Sequence, residues 1–225
     1  MKKLIFCIQN ELIESVLRDN GVINSDTILI RDNKDLSLEY INSIKPDIIF
    51  FPHWSFKVDE SIVRRFKCIA FHSAPLPFGR GGSPIQNMII RGYKETELCS
   101  LLMREEFDTG PIYLRTPVSL KGNLEDILLR IYQAISEQIE VIKEDEIIPI
   151  EQEGEAVIFR RLRDEDNKIN FEDDFQKMSD QIRMLDSEFY PSAYINIGDY
   201  KIEFSKSSLV EDVLTSEVKI SKLKK

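Results

Sequence analysis

Cys68-Ile69-Ala70-Phe71-His72-Ser73-Ala74-Pro75-Leu76-Pro77-Phe78-Gly79-Arg80-Gly81-Gly82-Ser83-Pro84-Ile85-Gln86 is the stretch on which the fold turns. A short apolar run, too short for a helix, ends at a histidine. Three glycines and three prolines then crowd residues 74–84. Such a segment is neither strand nor helix interior, but a shaped loop whose glycines let backbone come close to a ligand. Ser83 suits an N-cap, Pro84 the first helical position and Gly92 a helix stop. A helix start there points amide donors at whatever lies beyond the strand. Strand, loop and helix in that order are the unit of a parallel α/β sheet.

The same alternation runs outward from this stretch. Residues 3–8, 27–30, 47–51, 67–71 and 97–103 read as strands, and 10–18, 36–44, 58–66 and 84–91 as helices. This predicts an α/β fold, a doubly wound, mostly parallel, Rossmann-like sheet with helices on both faces. Leu124, Ile127, Leu128, Ile131, Ile135, Ile139 and Ile142 form one apolar stripe and predict a helix over 124–143. Beyond Glu144-Asp145-Glu146 the pattern changes to a helix candidate at 173–185 and a hairpin turning at Gly198-Asp199. The predicted division is therefore 1–150 and a small α+β appendage, 151–225. The Phe, Tyr and Ile of the hairpin suit a two-fold homodimer interface as readily as a core.

With 39 acidic against 30 basic side chains, the chain carries a net charge of −9. That balance argues against nucleic acid, whose affinity comes from clustered Lys and Arg. Arg160-Arg161-Leu162-Arg163 is too short a basic run to reverse it. Apolar runs such as Ile48–Phe51 fall far short of the ~20 residues a membrane span needs, so a cytoplasmic protein without membrane contact is expected. Cys7, Cys68 and Cys99 match no metal or redox spacing and read as reduced core residues; no metal is implied.

The chain has two histidines, His53 and His72, each just beyond a strand candidate. Asp108 follows the strand 97–103 after a short loop. Ligands of open parallel sheets sit beyond the carboxyl ends of the strands, so residues 36 apart in sequence can face each other there. This pairs His72 with Asp108, although a single histidine near a strand end is commonly a hydrogen-bonded packing residue.

The order His72, Leu76-Pro77, Arg80-Gly81, Pro84-Ile85-Gln86 and then Asp108-Thr109-Gly110 resembles the core of the formyltransferases that use 10-formyltetrahydrofolate. Asp166, Ile169, Phe171, Ile182-Arg183 and 191–194 are similar to the stretch after the catalytic domain of that superfamily. The resemblance implies a formyltransferase catalytic domain with His72 and Asp108 as catalytic residues. It further implies that Ala74, Pro75, Leu76, Pro77 and Arg104, Glu105, Glu106, Phe107 hold the folate, with Arg80, Gly81 and Gly82 as a substrate loop. The loop wording looks most like the sugar N-formyltransferases of pseudaminic acid biosynthesis. The expected substrate is then an amino-sugar nucleotide, with Arg80, Arg160 and Arg161 as partners for its charge. The chain also looks too short for the full RNA-contacting domain of methionyl-tRNA formyltransferase.

One departure stands out. The family usually has Asn two residues before the histidine, and here Ala70 offers no donor. Loop amides, His53 or Ser73 are candidate substitutes. Other formyl-folate enzymes share the same pair, namely transferases acting on tRNA or on a ribonucleotide, and hydrolases that pass the formyl group to water. A non-catalytic folate or nucleotide binding module, or a ligand-free structural protein, would not need it.

Overall fold

The computed structural model describes residues 2–223. Six strands form the main sheet: β1 (Leu4–Cys7), β2 (Ile28–Ile30), β3 (Ile48–Phe51), β4 (Cys68–His72), β6 (Glu95–Leu102) and β7 (Ile112–Ser119). Their order is β2-β1-β3-β4-β6-β7. β1 pairs in parallel with β2 and β3, and β3 with β4, whereas β4 and β6 run antiparallel. The continuous run Ile48-Ile49-Phe50-Phe51 is buried along its length, as a strand covered on both faces requires. The helices α1 (Glu11–Asp19), α2 (Leu38–Ile44), α3 (Glu60–Arg65), α4 (Pro84–Ile90) and α5 (Leu124–Glu144) follow the expected alternation. Asn10, Ser37 and Asp59 accept amide hydrogen bonds at the starts of α1, α2 and α3.

By internal contacts the chain falls into two compact units. One takes in the chain up to Gly81 with 97–118 and 129–158; the other takes in 82–96, 119–128 and the chain from Phe159 on. In the first, Ile5, Cys7, Ile41, Ile49, Phe51, Ile62 and Cys68 form a buried apolar cluster. All three cysteines are free and buried; burial pushes the Cys68 thiol up to about 12 and that of Cys99 to about 11.

In the second unit α6 (Phe175–Arg183) stands beside a three-stranded sheet of β9 (Ala193–Ile197), β10 (Tyr200–Val210) and β11 (Val213–Lys222), in the order β11-β10-β9. The Arg183 guanidinium pairs with Asp180 at 2.6 Å and donates to the carbonyls of Leu120 and Gly122, at 2.6 and 3.0 Å. The predicted hairpin turn at 198–199 is present, and β11 extends the sheet beyond it.

Two readings change. Within the glycine-proline segment, Phe78–Gly81 is a short strand, β5, hydrogen-bonded to β8 (Val157–Phe159). Position-specific glycine backbone makes this possible, since Gly79 and Gly81 take φ of 87° and 103°. Ser83 is the residue before α4, but in a left-handed conformation with no side-chain cap; its Oγ instead accepts the Leu162 amide at 3.1 Å.

Candidate active site

His72 is the last residue of β4 and is buried. Its Nε2 lies 2.7 Å from the Gly79 carbonyl oxygen, which only accepts, so Nε2 donates there. Its Nδ1 lies 3.4 Å from Oδ1 of Asp108. Asp108 has a left-handed backbone, φ 58°, and its Oδ2 accepts the Gly81 amide at 2.9 Å. β5 therefore touches both members of the pair, through a carbonyl to the imidazole and an amide to the carboxylate. A contact of 3.4 Å is looser than a formed hydrogen bond, as is common before a substrate is bound.

Asp108 is held where it is by a residue that the motif does not contain. Gln152 donates its side-chain amide to the carbonyls of Asp108 and Gly110, both at 2.8 Å. Its oxygen accepts the Arg80 guanidinium at 2.7 and 3.1 Å. One amide thus ties the acidic loop to β5. Gly110 completes this loop by close approach: a Cβ there would lie 1.6 Å from the Leu102 carbonyl oxygen.

The remaining predicted residues scatter by role. Ser73, Pro75 and Pro77 are half-buried, whereas Ala74 and Leu76 are buried. The Leu76 side chain is core, packed with Cys99, Leu101 and Ile112, and its carbonyl accepts Arg115 at 2.5 Å. Arg104 pairs with Glu151, Glu105 with Arg64 at 2.6 Å, Glu106 is exposed, and Phe107 is 63% exposed. Arg80 is occupied by Gln152. Gly82 serves the chain itself, since a Cβ there would meet the Arg161 backbone at 2.5 Å. Arg160 holds Asp166 in a two-pronged ion pair and pulls its carboxyl down to about 2.

His53 is no solvated loop histidine. It follows β3 with φ 56°, its Nδ1 lies 2.5 Å from the Tyr132 hydroxyl, and burial pushes its pKa down to about 4, so the ring is neutral at pH 7. Its neighbour Trp54 keeps a buried indole N–H that meets no acceptor among the described residues. Among those residues no group of three His, Cys, Asp or Glu could hold a metal, and no helix is long and apolar enough to cross a membrane.

Comparison with known proteins places this geometry in a family. Residues 31–141 match the formyl transferase model, and 164–221 match that of the methionyl-tRNA formyltransferase C-terminal domain. A solved structure, methionyl-tRNA formyltransferase from Clostridium thermocellum, is 34% identical and superposes with a TM-score of 0.94, covering 99% of this chain and 100% of that one. The chain belongs to the formyl transferase family.

Within the formyl transferases the sugar assignment is overturned. Methionyl-tRNA formyltransferase from Rickettsia felis is 29% identical over 76% of this chain and 57% of its own length. The chain thus spans a little over half the length of the curated relatives it matches. The formyltransferase PseJ from Anoxybacillus kamchatkensis, solved with a formamido-sugar nucleotide and tetrahydrofolate, is 18% identical with a TM-score of 0.55 over 70% of this chain, a likeness of fold alone. The expected amino-sugar nucleotide partner and the exclusion of nucleic acid both fall with this correction. The loop wording misled because much of it is structural: Gly82 packs on Arg161 and Arg80 on Gln152. The net charge misled because it averages a whole surface, whereas docking a nucleic acid needs only a local positive stretch. The tail stretch read as similar to the one after the catalytic domain matches, over 164–221, the methionyl-tRNA formyltransferase C-terminal domain model.

Proposed function

We propose that this chain moves a formyl group from 10-formyltetrahydrofolate to the amino group of methionyl-tRNA. The observation that carries the reading is the buried His72 beside Asp108 at the carboxyl end of β4. The names of the relatives supply the acceptor. We assign the catalytic role to the part before about residue 150, with Gln152 on its side; the two matched family segments stop at 141 and resume at 164, which supports that division.

The folate supplies a formyl group on a nitrogen that can leave. As the amine bonds to the formyl carbon, His72 takes the proton the amine loses, and it returns one to the departing nitrogen when the old carbon–nitrogen bond breaks. For this, the ring gives up the Nε2 proton that meets the Gly79 carbonyl and carries its single proton on Nδ1 toward Oδ1 of Asp108, which leaves the Nε2 lone pair for the amine. Asp108 fixes that tautomer and stabilises the imidazolium. The Gly81 amide keeps the carboxylate from turning away.

The test is incubation of the purified chain with labelled 10-formyltetrahydrofolate and methionyl-tRNA, followed by recovery of formylmethionine. Uncharged tRNA serves as the control. Label transfer to methionyl-tRNA that His72→Asn abolishes is expected. Folate consumption that ignores methionyl-tRNA would make the chain a hydrolase instead.

A further inference from the structure

We propose that Arg115 is a positioning residue for the His72–Asp108 pair, acting through the Leu76 carbonyl. The proposal rests on the formyl-transfer reading above and goes beyond it in naming a residue, away from the reacting atoms, that sets their geometry.

β5 meets both members of the pair, with the Gly79 carbonyl at His72 and the Gly81 amide at Asp108. A group that fixes the entry to β5 therefore fixes the pair. That entry is the turn 74–77. Its Leu76 amide goes to the Ala74 carbonyl and the Phe78 amide to the Pro75 carbonyl, bonds that shape the turn without tying it to the sheet. Pro77 has no N–H, so the Leu76 carbonyl is the one polar group of the peptide that joins them. Nη2 of Arg115 donates to this carbonyl at 2.5 Å. The other tethers are neutral donors at longer range, the Cys99 thiol on the Ala74 carbonyl and the Val157 amide on the Pro77 carbonyl, both at 3.3 Å. A charged donor makes a bond roughly twice as strong as a neutral one.

The two arms of the guanidinium have separate tasks. Nη1 donates to Glu97 at 2.8 Å and lies 3.5 Å from the Cys99 sulfur, both on β6. Nη2 reaches past the sheet to the turn. β6 and β7 are already neighbours in the main sheet, so a strap between them needs only the Nη1 arm. With Nη1 anchored, Nη2 carries that anchorage to Leu76 and through β5 to the imidazole and the carboxylate. Misplacing a reacting group by about 1 Å can cost about 100-fold in rate.

The test compares variants of the full chain by kcat for formyl transfer and by imidazole nitrogen-15 spectra. The chain has two histidines, and the signals lost in His72→Asn assign that ring. Without substrate, native His72 is expected as the Nε2–H tautomer that the Gly79 carbonyl holds. Arg115→Met keeps an apolar stem and removes both arms. It should lower kcat by about 10- to 100-fold and move the His72 signals toward a mixture of tautomers. Glu97→Gln weakens the Nη1 arm and leaves Nη2 on Leu76. A partly exposed ion pair is worth little, so its kcat should stay within about threefold of native, with native His72 signals. Arg115→Gln, too short to span both acceptors, gives the same two readouts if the methionine chain does not fold. Lost stability alone leaves the folded-state His72 spectrum in place. The proposal is overturned by an Arg115 variant whose kcat stays within that same margin, or by a folded Arg115 variant with native His72 signals. A Glu97→Gln loss as large as that of Arg115→Met also overturns it, because Arg115 would then be a strap within the sheet. Hydroxylamine is run as a second acceptor. If native protein formylates neither it nor methionyl-tRNA, the formyl-transfer reading fails, while the His72 signals still decide whether Arg115 sets the imidazole.

Discussion

The Gly81 amide and the Asp108 carboxylate are joined at 2.9 Å, so the strand that caps the imidazole also holds the acid that orients it. Proton transfer and loop geometry are therefore coupled. Asp108→Ala removes both the imidazole's partner and the acceptor for Gly81. It should lower kcat for formyl transfer by about 10³-fold or more while circular dichroism stays native. Retained turnover would remove Asp108 from the mechanism.

Gln152 touches neither His72 nor any reacting group, yet it closes the loop that bears Asp108. Gln152→Ala frees the carbonyls of Asp108 and Gly110 and releases Arg80. Losing these bonds corresponds to about 1–3 kcal/mol, part of which falls on placement of the carboxylate. A fall of about tenfold in kcat with a smaller change in KM is expected, together with faster proteolysis within 104–110. Gln152→Glu, which keeps an acceptor for Arg80 and loses the donor, should behave like the alanine variant in kcat.

The His53 ring, with its pKa pushed down to about 4, makes stability depend on pH. Below the ordinary histidine value near 6.5 the unfolded chain binds a proton that the folded chain refuses until about 4. Stability therefore falls as pH drops through that window and is restored above it. The loss is of order 3 kcal/mol, read as a lowered urea midpoint between pH 6.5 and 4. His53→Asn should flatten this segment of the profile. An unchanged slope would assign the acid sensitivity to another group.

Gly110→Ala is predicted to damage the fold before the chemistry. The added carbon would lie 1.6 Å from the Leu102 carbonyl oxygen, so backbone must shift between β6 and the acidic loop. Destabilisation of at least about 3 kcal/mol is expected, measured as a drop in thermal midpoint. Gly21→Ala, where nothing lies within 4 Å but φ is 72°, should cost only about 1 kcal/mol.

Much of this architecture was legible. The stripe from Leu124 to Ile142 marked α5, and the runs at 48–51 and 68–71 marked two buried strands, because a single burial requirement set their patterns. β7 escaped notice because Arg115 and Pro117 interrupt its apolar run, as an edge-side strand allows. β5 escaped because its glycines read as loop, and its pairing with β8 is a long-range fact that local propensity does not carry. The His72–Asp108 contact was readable from strand-end logic. Gln152 was not, since nothing around it distinguishes a glutamine that grips a loop 44 residues earlier from one in solvent. The acceptor was misread because glycines and arginines that serve the chain's own packing look, in sequence, like a substrate loop.

The clamp at Gln152 gives the centre an order of birth. During synthesis His72 and Asp108 emerge together, with their carrier loop free to sample water. Only when the chain has grown through residue 152 do the carbonyls of 108 and 110 find their donor. A nascent or clipped polypeptide ending at α5 would carry both proton-handling groups but lack the side chain that closes the loop bearing one of them.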